Sequence, residues 1–68
     1  MKNTDAYILM QFRDTVKHLR GLPVGELTSR MGELGKPTLD ALKANGHDLA
    51  DAIGLMREIW RDIERGAK

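Results

Sequence analysis

Apolar residues recur along this chain at three- and four-residue spacing, the period of helices with one buried face. Leu9, Phe12, Val16 and Leu19, with Ile8 beside them, make the first stripe and predict a helix over about residues 5–20. Asn3 or Thr4 can cap it, and Asp5 suits the positive end of the helix dipole. Tyr7 and Met10 fall roughly opposite that stripe at about 100° per residue, on the side that carries Gln11, Asp14 and His18. This helix therefore has a second, smaller apolar spot, covered either by another helix of the chain or by a partner.

Gly21-Leu22-Pro23 stops the first helix, because the residue before a proline is pushed out of helical geometry. Pro23 can open a second helix over about 23–34, with Val24, Leu27, Met31 and Leu34 as its stripe. Gly32 inside it points to a close helix crossing or an early end. Lys36-Pro37 restarts the chain as a third helix over about 37–45, Leu39 and Leu42 facing inward, with Asn45-Gly46 as its stop. A helix of two turns needs packing to exist at all.

The last helix is predicted over about 48–65. Asp48 caps it, Asp51 lies in its first turn, and Arg61 and Arg65 lie near its end. Leu49, Ile53, Met56, Trp60 and Ile63 repeat at spacings of four, three, four and three, and Ala52 and Ile59 widen the stripe. That spacing suits a helix–helix seam, so Ile53, Met56, Trp60 and Ile63 form either core or a homodimer seam. The expected fold is an all-α, four-helix single domain over residues 1–68, two long amphipathic helices enclosing two short ones.

Composition changes this picture in three ways. A chain of 68 residues buries only about 60% of its unfolded surface, so oligomerisation is a natural source of extra core. Cysteine is absent, which excludes disulfides and thiolate zinc sites and fits a cytoplasmic protein. Eleven basic and ten acidic residues leave a net charge of +1, no broad attractor for nucleic acid or anionic lipid. The longest apolar run, at 6–10, is far too short to cross a bilayer, and neither a signal peptide nor a membrane partner is expected.

Candidate chemistry is sparse. Ser29 is the one serine and has no histidine at suggestive spacing. His47 and Asp51 are four residues apart, but a metal site needs three or four ligands. Asp48 and Asp51 read as capping groups. The run GELGKPT lacks the spacing of a phosphate-binding loop. The expectation is a non-enzymatic protein without cofactor, metal or catalytic residues.

The stretch VKHLRGLPVGELTSRMG, residues 16–32, resembles the start of lambda-repressor-like, Cro/repressor-type helix-turn-helix domains. The matching positions are Arg20, Gly21, Leu22, Glu26, Leu27, Arg30, Met31 and Gly32. The resemblance implies an all-helical domain, often dimeric, whose helix after the turn lies in the DNA major groove. By that analogy Lys36, Thr38, Asp40 and Lys43 lie on or near the reading helix. Residues 37–44 hold no arginine, asparagine or glutamine, the side chains that read bases best. NTDAYILMQFR and HDLADAIGLMREIW, near the two ends, resemble the Hha/YmoA group of small helical modulators, which implies regulation through protein contact alone.

The leading expectation is thus a small regulatory or inhibitory protein, of the kind phages and mobile elements encode, that binds a protein partner through a helix. Tyr7, Met10, Gln11, Asp14 and His18 are its candidate contact residues. The alternative is a helix-turn-helix DNA-binding transcription regulator using residues 24–45, and the third a helical oligomerisation module.

Overall fold

The computed structural model describes residues 4–66, and within them the chain is three α-helices. Helix α1 runs Asp5–Val16 and tightens into a 3₁₀ turn at Lys17–Leu19; α2 runs Val24–Ala44 and α3 Leu49–Glu64. Thr4 caps α1 by accepting the Tyr7 amide at 3.2 Å, and Asp48 caps α3 by accepting the Asp51 amide at 2.8 Å. Asn3, the other candidate cap, lies outside the described residues.

The expected four-helix arrangement is corrected to three, because no break separates residues 34 and 37. Pro37 lies inside α2 and is not its start. A proline there has no N–H for the Glu33 carbonyl. Glu33 and Pro37 are both exposed, so water can serve that carbonyl. Packing supplies the rest: Gly35, Thr38 and Leu42 are the buried residues of α2 and bracket the proline on one face. A fully buried leucine such as Leu42 stabilises by roughly 1.5–3 kcal/mol, enough to oppose the cost of the proline.

Helix α2 ends as its Asn-Gly pair predicts. Gly46 takes φ +102°, its amide donates to the Lys43 carbonyl at 3.0 Å, and the His47 amide donates to Leu42 at 3.2 Å. These two bonds are a Schellman stop, which needs glycine at the left-handed position.

All three helices pack on one another. One buried cluster joins Phe12, Val16 and Leu19 to Ile63 of α3; the other joins Ile8 to Leu42 of α2 and Ala52 of α3. Met56 touches both clusters. At Gly35 α2 meets a side chain of α3: a β-carbon there would sit 2.9 Å from Met56 Cε. Gly32, expected from sequence to mark a close crossing or an early helix end, marks neither: α2 continues through it, and a β-carbon there would have nothing within 4 Å. The molecule measures 35 × 25 × 19 Å, and α2, at 21 residues and about 1.5 Å per residue, spans most of its length.

If Pro37 is a helix-interior residue, Pro37→Ala should raise the unfolding free energy by about 1–3 kcal/mol in urea titrations. A neutral or lower value would mean that Pro37 begins a helix, where its fixed φ helps.

Candidate functional site

The buried faces of α2 and α3 do not close along their whole length. N-terminal to Gly35, Leu27, Met31 and Leu34 are only half-buried, and Val24, expected in the stripe, is 79% exposed. On α3 the buried face centres on Ala52 and Ile63. Leu49 and Ile53, also expected in that stripe, are 51% and 41% exposed. The stripe thus divides: Ile63 is core, Met56 and Trp60 are half-buried, and Ile53 faces outward. Between the two helices lies an open groove of about 400 Å³, lined by Phe12, Leu27, Thr28, Met31, Gly32, Ile53, Met56, Arg57 and Trp60. Phe12 of α1 lies at 2% exposure and lines it from within. Three of the four residues expected as core or seam therefore line one concave apolar surface. Sequence periodicity gave them one stripe, but it could not show that the partner face on α2 would cover only part of it.

The residues expected to bind a protein through α1 sit elsewhere. Tyr7 is 46% and Met10 61% exposed, so no helix among the described residues covers them. Gln11 Nε2 donates to the Tyr7 hydroxyl at 2.8 Å, Asp14 pairs loosely with Lys17 at 3.6 Å, and His18 is exposed. This is a convex spot of two apolar side chains on a polar face. Of the residues assigned to DNA reading, Lys36, Asp40 and Lys43 are exposed on α2, whereas Thr38 is buried at 8% and faces the core. Since α2 is continuous, no turn sets these four residues apart on a separate helix.

A third constellation could not be read from spacing. The Schellman stop delivers His47 between α1 and α3. There His47 Nε2 lies 2.6 Å from Asp5 Oδ2, and Nδ1 lies 2.7 Å from Asp51 Oδ2. Asn45 Nδ2 donates to the other Asp5 oxygen at 3.0 Å. Ionised carboxylates only accept, so the doubly protonated imidazole, which donates from both nitrogens, is the form this arrangement favours. Its pKa is raised, chiefly by the hydrogen bond to Asp51 and then by that to Asp5. The Asp5 carboxyl is lowered by its hydrogen bonds to Asn45 and His47. The two aspartates take opposite sides of the ring and do not converge on a point. Among the described residues no three histidine, aspartate or glutamate side chains are grouped to hold a metal ion. With both ring nitrogens hydrogen-bonded to carboxylates, His47 ties the start of α1 to the α2–α3 loop as a latch. The sequence offered the His47–Asp51 spacing; Asp5, 42 residues away, is reached only through the fold.

The latch has a definite pH signature. The contribution of His47 is complete below its ordinary pKa of 6.5 and is lost as pH rises through the raised folded value. The contribution of Asp5 is present above its ordinary 3.8 and is lost as pH falls through the lowered one. The melting temperature should therefore fall as pH rises from the ordinary histidine pKa of 6.5 through the raised folded value, and His47→Gln should flatten that slope. An equal slope in the variant would show that the latch carries no linkage. His47 and Asp5 are partly solvent-exposed, so the effect is modest and salt-sensitive.

No helix among the described residues is long and apolar enough to cross a membrane. Comparison of the chain with protein-family models, with curated proteins and with solved structures gives no match.

Proposed function

We propose that this chain is a small non-enzymatic regulatory or inhibitory protein that acts by helix-mediated binding to a protein partner. One observation supports this above the others: the groove between α2 and α3, where Leu27, Met31, Ile53, Met56 and Trp60 are left unsealed on one side. A 68-residue chain has few apolar side chains to spend, and leaving five of them at a concave surface weakens the fold unless something covers them. Groove-and-helix recognition uses this kind of surface: apolar walls, an aromatic anchor and an open top. Methionines on both walls suit it further, because their flexible thioethers repack around an incoming side chain.

Cytoplasmic residence and a phage or mobile-element source remain expectations of this reading. The Tyr7 and Met10 spot is a smaller accessory contact. The DNA-binding alternative rests on residues 24–45, and no observed geometry favours it over the groove.

Ile53→Asp places a charge on the groove wall at an exposed position, where the fold tolerates it. Immobilised wild-type protein should retain one protein from native lysate after nuclease treatment. The variant should lose it while keeping its helical circular dichroism and melting temperature. Retention that disappears with the nucleic acid, or that survives the substitution, would contradict the proposal.

A further inference from the structure

What fits the groove is set by its length, its rims and its one charge. Ile53 and Trp60 are seven residues apart on α3, about 10 Å at 1.5 Å per residue. That is room for apolar anchors at i, i+3 or i+4, and i+7 of a docked helix. The α2 rim is Thr28 and Gly32, and the space a β-carbon would take at Gly32 is empty. A helix backbone can therefore come close on that side. The α3 rim carries Arg57, the only charged residue lining the groove among the described residues. It is exposed and makes no ion pair with another described residue.

We infer that the groove takes an amphipathic helix of another protein that carries a carboxylate beside its apolar stripe, placed to meet Arg57. This rests on the protein-binding reading above and adds the chemistry of the partner. An arginine beside apolar walls loses water when the groove fills, and a carboxylate on the incoming helix compensates it with paired hydrogen bonds. A basic helix would bring like charge to the same rim. A second copy of this chain fits less well. A two-fold axis through the groove draws Arg57 toward the copy's Arg57, which sets like charges against each other.

The test is a displayed library of helical peptides with a fixed apolar stripe, no tryptophan and randomised flanking positions, selected on the whole protein. Trp60, the sole tryptophan, reports binding of each recovered peptide through its emission. Aspartate or glutamate should be enriched at one flanking position. Arg57→Glu should weaken those peptides roughly tenfold or more and select lysine or arginine there instead, with its melting curve unchanged. If the enriched flank is neutral or basic, or Arg57→Glu leaves affinity intact while Ile53→Asp abolishes it, the acidic-partner inference fails and the groove reading stands. If Ile53→Asp does not affect binding, or no peptide is enriched, both fail. Sedimentation of the protein alone completes the set: self-association lost in Ile53→Asp would identify the occupant as a second copy and overturn the inference.

Discussion

The burial of one stripe on the first helix is the constraint on which the rest of this molecule depends. Among the described residues, four of the seven buried apolar side chains come from α1 and its 3₁₀ turn: Ile8, Phe12, Val16 and Leu19. Neither α2 nor α3 supplies enough buried surface to hold the other alone. Helix α2 contributes Leu42, and α3 contributes Ala52 and Ile63. Both are organised by what α1 offers them, in two clusters joined through Met56. A core of this size leaves little margin, and the exposed His47 latch between α1 and the α2–α3 loop adds only modestly to it.

The groove follows from the same economy. Gly35 lets α2 approach Met56 at one point. Away from that point the walls are Leu27, Met31, Ile53 and Trp60, and α1 reaches the space between them only through Phe12. Sealing it within the chain would take a fourth helix. Pro37 and its neighbours do not form one, because α2 runs straight through the segment. The missing helix and the open surface are one fact: apolar residues expected to close around two short helices instead line an open face.

Much of this fold was legible in the sequence, for reasons that can be named. The α1 stripe and its caps were legible because periodicity and capping are local. The Asp48 cap, the Asp51 first turn and the Gly46 stop were legible for the same reason. The break at Lys36-Pro37 was misread because proline chemistry is also local, while the burial of Thr38 and Leu42 that overrides it is tertiary. Gly32 was read as a close crossing or an early helix end and is neither, since α2 continues past it and Gly35 is the glycine against Met56. The site was legible as a list of residues and not as a surface. Ile53, Met56 and Trp60 were marked as seam or core, yet Arg57 and the α2 wall could not be added without knowing how far the two helices diverge. Asp5 was read as a helix-dipole residue, and its hold on His47 depends on a contact that no spacing rule reaches.

The central claim is that the apolar face between α2 and α3 is open in the free protein while the α1 stripe is sealed. Methyl relaxation by a soluble paramagnetic agent measures this directly. The methyls of Ile53, Met31 and Met56 should relax markedly faster in its presence, and those of Val16 and Leu42, both fully buried, should scarcely respond. Protection of Ile53 and Met31 equal to that of Leu42 would contradict the account, since the groove would then be closed in solution.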